Sequence, residues 1–216
     1  MKHVYGAALA AAVSSVATAD FVGVVGGQTN VLLDFALIEE ATGLALEGVS
    51  DGVIVPGNLG PDSVAFAITS TSSANLPTTF NYDSDDFENT FNGSIEHRGS
   101  VSFNGSADVT VGNFTVGYDA AYGFQVIDNL DLQLALFDVV IAEATPGVDT
   151  FEVTGDLQIS QAFATALLEL GLAGVDLTGV DVGDTFIQGF NQAVPSPGVM
   201  AVGVIAGLAA RRRRRS

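Results

Sequence analysis

The chain has 216 residues, with 25 acidic against 7 basic side chains, 2 His and no Cys, and a pI near 4.1 stands beside a mean hydropathy of +0.40. Lys2 and Arg211 to Arg215 sit at the two ends, so between Asp20 and Ala193 a single Arg, Arg98, faces all 25 acids and leaves a formal charge of −24. Such a surface repels phosphate backbones and has no basic stripe, which excludes nucleic acid; the lack of Cys excludes disulfides and thiol chemistry, and 48% hydrophobic residues with 14 Phe are too many for a disordered acidic tail.

In chain order, Met1, Lys2 and His3 make a short basic start. Residues 4–16 form an apolar, Ala-rich run, and Ala17-Thr18-Ala19 supplies the small residues that a signal peptidase accepts. Residues 1–19 are therefore expected to be a signal helix, with Ala17 and Ala19 at the cleavage site.

From Asp20 onward the pattern is short apolar alternation broken by Gly, Asn, Asp and Pro. Phe35 to Ala41 reads as a short helix, and Asp83 to Phe91 as another, with Phe87 and Phe91 stacked at i, i+4. Residues 94–120 hold three alternating runs separated by Asn104-Gly105 and Gly112-Asn113, which predicts a meander of consecutive antiparallel strands with His97 on an apolar parity. Leu130, Leu132, Leu134 and Leu136 share one parity and predict a strand, with a parity shift near Phe137 that suggests a bulge. Phe151, Val153, Leu157 and Ile159 alternate with Glu152, Thr154, Asp156 and Gln158, the mark of a half-buried strand. Ser160 is a good N-cap for a helix over Gln161 to Leu170, with Phe163, Ala166, Leu167 and Leu170 on one face and Gly171 past its end. Together these predict an all-β domain over residues 20–193, an antiparallel β-sandwich of jelly-roll type with one to three short helices.

The C-terminal stretch is tripartite: Val194-Pro195-Ser196-Pro197, an apolar Gly/Ala-rich helix over 198–210, then Arg211, Arg212, Arg213, Arg214, Arg215 and Ser216. The apolar part is just long enough to cross a thin membrane, and five Arg at its end would stay on the cytoplasmic side, leaving the acidic segment outside. This arrangement resembles the sorting signal of PEP-CTERM proteins of Gram-negative bacteria, with Ser196 where that family most often has Glu. The resemblance covers only the last 23 or so residues. It implies that Pro195, Ser196 and Pro197 form the motif recognised by an exosortase, that the helix docks in the membrane transiently, and that Arg211 to Arg215 retain it there. It implies sorting to the cell surface, outer envelope or exopolysaccharide matrix, with no activity attached.

The acidic segment offers little for catalysis. His97 is its only His, no Cys is present, and no Gly-x-Ser-x-Gly elbow or phosphate loop occurs. With many acids and no soft ligands, calcium is the cofactor that the composition favours. The densest cluster supplies Asp83, Asp85, Asp86 and Glu88, without EF-hand spacing. Asp176, Asp181 and Asp184 among glycines make a fainter candidate, and Tyr118, Tyr122 and Phe124 could serve as a sugar-stacking platform. The expected function is a non-enzymatic exported surface or matrix protein, with no catalytic residues and with signal peptidase and exosortase as partners during export. The alternative is a carbohydrate-binding module or calcium-stabilised adhesin of the exopolysaccharide matrix, with polysaccharide as a further partner.

Overall fold

The computed structural model describes residues 21–194. The signal helix with Ala17 and Ala19, the motif Pro195-Ser196-Pro197, the apolar helix 198–210 and Arg211 to Arg215 lie outside the described residues. Among the described residues, no helix is long and apolar enough to cross a membrane.

In chain order the elements are β1 (Phe21–Leu33), α1 (Phe35–Thr42), β2 (Leu44–Val49), β3 (Val53–Ile54), β4 (Val64–Ile68), β5 (Asn81–Asp83) and α2 (Phe87–Thr90). There follow β6 (Ile95–Arg98), β7 (Ser100–Gly105), β8 (Val109–Gly112), β9 (Thr115–Asp119) and β10 (Gly123–Ile127). The chain continues with β11 (Ala135–Pro146), β12 (Thr150–Ile159), α3 (Gln161–Glu169) and β13 (Asp181–Ala193).

The alternation read at residues 151–159 holds along β12. Phe151, Val153, Leu157 and Ile159 are buried while Thr150 and Glu152 are exposed. All-β architecture with few helices is thus observed, but the sandwich is not. Eight antiparallel strands run β4-β6-β9-β10-β11-β12-β13-β1, and β1 pairs back onto β4, so the sheet closes into a barrel. Strand β3 adds to β4 and β5 to β1, while β2, β7 and β8 form a separate sheet.

The closure is made by β1. One of its edges pairs with β13 from Val22↔Ala193 to Leu33↔Gly183. Its other edge takes β5 at Phe21 to Gly23 and then β4 at Gly27 to Val31. The register shifts between Val24 and Gly26, and a bulge of this kind bends and twists a strand. Gly27 lies at φ 130, and a Cβ there would collide with the Gln188 carbonyl oxygen, so only glycine fits. Alternating burial looks the same in a sandwich and a small barrel, since both turn every second residue inward. What separates them is whether the outer edges meet.

Two other expectations are corrected. The segment 94–120 is not one meander: β6 pairs with β4 and β9, while the β7–β8 hairpin leaves the barrel and joins β2. Nor does the leucine alternation make a strand from Leu130, because β11 begins only at Ala135. The reason is Asp128, fully buried, whose carboxylate accepts hydrogen bonds from the backbone N–H of Gly112 (2.6 Å), Leu130 (3.2 Å), Leu132 (2.8 Å) and Gln133 (3.1 Å). A carboxylate that gathers four backbone donors fixes a loop, and those donors are then lost to a ladder. The bulge expected near Phe137 is present, since the β10–β11 register jumps from Phe137 to Ala135, and a second shift, against β12, falls between Ile141 and Glu143.

The helices follow their caps. Asp34 Oδ1 accepts from Leu37 N at 2.9 Å and starts α1, which ends at Gly43 in the left-handed region. Ser160 Oγ accepts from Phe163 N at 3.1 Å and starts α3. Its buried face is Ala164 and Leu167, whereas Leu170 is exposed. The helix expected at Asp83 to Phe91 shrinks to the single turn of α2, with the Phe87 and Phe91 rings 5.5 Å apart.

Two apolar clusters fill the interior. One, around Phe66, Phe114, Leu136, Leu157, Leu167 and Val182, packs the barrel end covered by α1, α3 and the three-stranded sheet. The other, around Val22, Phe80, Tyr82, Ile95, Phe151 and Ile187, fills the end where β1 begins and β13 finishes. Tyr82 Oη closes this end by donating to the Gly147 carbonyl (2.9 Å) and accepting from Asn191 Nδ2 (2.7 Å).

Replacing Asp128 by Ala strands backbone donors of the 128–134 loop in a buried setting. It is expected to lower unfolding free energy by at least about 3 kcal/mol, as hydrogen bonds to a charged group contribute about 1.5–3 kcal/mol each without adding fully. Urea unfolding measures it.

Candidate functional site

Strand alternation splits the functional groups into an inner and an outer set. Inside, a cavity of about 90 Å³ is lined almost wholly by aliphatic and aromatic side chains, with Thr29, Thr42, Thr185 and His97 as its only polar side chains. Thr185 lies along β13 between Val182 of one apolar cluster and Ile187 of the other, so Thr29, His97 and Thr185 form a thin polar belt between them.

His97 is 1% exposed. Its Nδ1 lies 3.1 Å from the Phe114 carbonyl oxygen, which can only accept, so Nδ1 carries the proton and donates. Its Nε2 then accepts from Thr29 Oγ1 at 2.7 Å. The sequence placed His97 on the apolar face of a strand, and the structure puts it in the core. A hydroxyl hydrogen-bonded to an imidazole has the outline of an activated nucleophile. No carboxylate bonds to this ring, however: both of its nitrogens are taken by Thr29 and the Phe114 carbonyl, and both residues are buried. Burial pulls the His97 pKa down to about 4, only partly opposed by the Phe114 carbonyl.

Outside, four amide side chains separated by up to 160 positions in sequence meet on the barrel wall. Gln28 of β1 pairs with Gln188 of β13, which pairs in turn with Glu152 of β12. One strand position along, Asn30 is fully buried, and its amide is satisfied on all sides. Its Oδ1 accepts from Gln28 Nε2 and from Asn58 N, both at 2.9 Å. Its Nδ2 donates to the Phe186 carbonyl (3.1 Å) and to Gln188 Oε1 (3.3 Å). Asn58 Nδ2 also donates to Gln188 Oε1 at 2.7 Å. These bonds orient Gln28, Asn58 and Gln188 along a groove of about 380 Å³, to which Gly27, Thr150, Glu152, Gly189 and Phe190 contribute. Phe190 is 63% exposed. Sequence reading missed this set, since lone Asn and Gln residues carry no motif and only the strand register aligns them.

The expected metal residues are not gathered into a site. Asp83 Oδ1 accepts from Asp85 N (3.0 Å), and Asp86 Oδ1 accepts from Asn89 Nδ2 (2.6 Å), so these acids shape the turn leading into α2. Asp85 and Glu88 are exposed beside them. Among the described residues, no three His, Cys, Asp or Glu side chains are grouped to hold a metal ion. Asp176 likewise accepts from Thr178 N and Oγ1, which lowers its pKa, and Asp181 accepts from Gly183 N. Tyr118 and Tyr122 are exposed at the β9–β10 hairpin, but Phe124 lies half under them, with its ring 5.2 Å from Tyr118.

No family model and no curated protein matches the chain. Among the solved structures that share the fold are two from one organism. The C-terminal domain of HtaA from Corynebacterium glutamicum is 13% identical over 79% of this chain and 99% of that one, with a TM-score of 0.54. The heme binding protein HtaB of the same organism is 15% identical over 81% of this chain and 97% of that one, with a TM-score of 0.50. The expectation of calcium, or of no cofactor, is thereby corrected: the ligand named for a protein of this fold is heme, and the acids that suggested calcium are occupied in local turns.

The buried ring makes stability depend on pH. In the unfolded chain His97 takes its proton near 6.5, in the folded chain only near 4. Between those values the unfolded state binds more protons, so the stabilisation is complete above about pH 6.5 and is lost as pH falls toward 4. The difference in unfolding free energy between pH 7 and pH 4 is expected to shrink by about 3 kcal/mol in His97→Gln, read from denaturant titrations at both pH values.

Proposed function

We propose that the chain is a non-enzymatic, exported envelope protein whose barrel is presented at the cell surface or in the surrounding matrix. The observation that supports this reading is where the two ends leave the barrel. Val194 N donates to the Phe21 carbonyl at 2.8 Å, and Val22 pairs with Ala193, so the sequence-predicted address segments join the fold side by side. A membrane-docked C-terminal segment would hold that end toward the bilayer. The covered end, with α1 and α3, would point away. The formal charge of −24 between Asp20 and Ala193 suits a cation-rich exterior and keeps neighbouring copies apart.

Heme is the second reading, raised by HtaB, and the residues present do not fit it. The interior cavity of about 90 Å³ is well below the roughly 300–1,000 Å³ of small-molecule sites. Its one imidazole has both nitrogens engaged. At the surface, the exposed phenols of Tyr118 and Tyr122 are of a type that can ligate iron. Their hairpin, however, is built on the Asp119 carboxylate, which accepts from Ala121 N and Tyr122 N and would repel propionates. The one cation of the described residues, Arg98, is instead bonded to Ser73 Oγ at 2.9 Å.

Deleting residues 194–216 from a tagged full-length chain is expected to shift it from the cell surface or matrix to the periplasm or medium. Unchanged fractionation, or retention of the intact chain in the cytoplasm, would overturn the reading. Hemin added to the purified protein is expected to keep the absorption spectrum of free hemin, with no difference between the parent chain and Tyr118→Phe.

A further inference from the structure

We propose that the outer-wall groove between β1, β12 and β13 binds neutral saccharides, with Gln28, Asn58 and Gln188 as hydrogen-bonding groups, Glu152 as acceptor and Phe190 as the stacking surface. The proposal deepens the reading of the barrel as a matrix protein and rests on it for its biological setting.

The groove is built rather than merely polar. Asn30, fully buried, binds the side chains of Gln28 and Gln188 and anchors itself on two backbone groups, Asn58 N and the Phe186 carbonyl, while Gln188 in turn holds the Asn58 side chain. Buried amides with complete partners rigidify what they touch. Once these bonds are made, Gln188 Nε2 is left as a donor, and Gln28 Oε1 and Asn58 Oδ1 as acceptors, with no partner among the described residues. A mixed set of donors and acceptors at fixed spacing matches vicinal hydroxyls, each of which donates and accepts. Preorganisation also matters for affinity, because a ligand then meets side chains whose rotamers are already fixed.

The floor and the end of the groove fit the same chemistry. Gly27 and Gly189 pair directly across β1 and β13 and contribute backbone to the groove between the outward side chains of Gln28, Gln188 and Phe190. Phe190 presents an open aromatic face beside them. A pyranose has one face of C–H groups, which stacks on such a ring while its equatorial hydroxyls reach the amides.

Charge selects among saccharides. Glu152 is the only ionised side chain of the groove, and the domain around it is strongly acidic. Uronates and sulfated sugars are repelled, whereas neutral hydroxyls can donate to the Glu152 carboxylate. The groove is open to solvent on the outer wall, so a polymer chain can pass across it.

The test uses the full-length chain in detergent, titrated with neutral gluco-, manno- and galacto-oligosaccharides and with oligogalacturonate, by NMR or calorimetry. At least one neutral series should bind, with affinity reduced about tenfold or more in Gln188→Ala and in Phe190→Ala, the size expected for losing one well-placed contact. Tyr118→Ala should leave binding unchanged, and melting temperatures of all variants are recorded so that a folding defect is not read as lost binding. If no neutral series binds, if oligogalacturonate binds better, or if the two groove variants bind as the parent does, the proposal fails. Because this measurement needs no export, neutral binding that depends on Gln188 supports the groove even where deletion of 194–216 leaves location unchanged, an outcome that overturns only the envelope reading.

Discussion

Strand β1 satisfies both of its backbone edges along most of its thirteen residues, and the rest of the structure depends on that. An eight-stranded antiparallel sheet left open would expose two rows of unpaired N–H and C=O groups. Here one edge of β1 is taken by β13 and the other by β5 and then β4, which abolishes the free edges of the ring. The bend that permits this comes from the irregularity at Val24/Gly26 and from a glycine conformation at Gly27. Once the ring closes, inward and outward parity are fixed for every strand in it. His97 and Thr29 must then face each other inside, and Gln28, Gln188 and Glu152 must stand in a row outside.

Three buried polar side chains follow one rule. Asp128 is met by four backbone N–H groups, His97 by a carbonyl and a hydroxyl, and Asn30 by two donors and two acceptors. Each would be costly if unpaired in a medium of low polarity. Each is therefore both a point of rigidity and a point of vulnerability, although they serve different ends. Asp128 shapes a loop, His97 links the two apolar clusters across the barrel, and Asn30 orients side chains toward solvent. The remaining acids lie mostly at the surface, where Asp83, Asp86, Asp119 and Asp176 organise turns.

Much of the local structure was legible in the residues. The alternation from Phe151 to Ile159, the Ser160 cap and the helix at Phe35 are short-range patterns set by side-chain period and by capping chemistry, and all three are present. The leucines at 130, 132 and 134 misled, because their alternation resembles a strand while Asp128 takes the backbone donors that a strand would need. The hairpin β7–β8 was readable as two strands with a turn, yet its departure from the barrel was not, since its partner β2 lies some fifty residues earlier. The acid cluster at 83–88 looked like a metal site by composition, and local hydrogen bonds consumed it.

The sequence by itself determined the all-β character, the starts of α1 and α3, the core placement of His97, the acidity of the domain and the expectation that both ends are addresses. Those features depend on local period, capping and charge count, which need no knowledge of distant contacts. Tertiary structure alone decided between sandwich and barrel, because that choice turns on the pairing of Gly27 to Val31 with Val64 to Ile68. It also decided the groove, because Gln28, Asn58 and Gln188 are separated by up to 160 residues and become neighbours only when β1 and β13 lie in register. A side-chain constellation assembled across strands leaves no spacing in the chain to read.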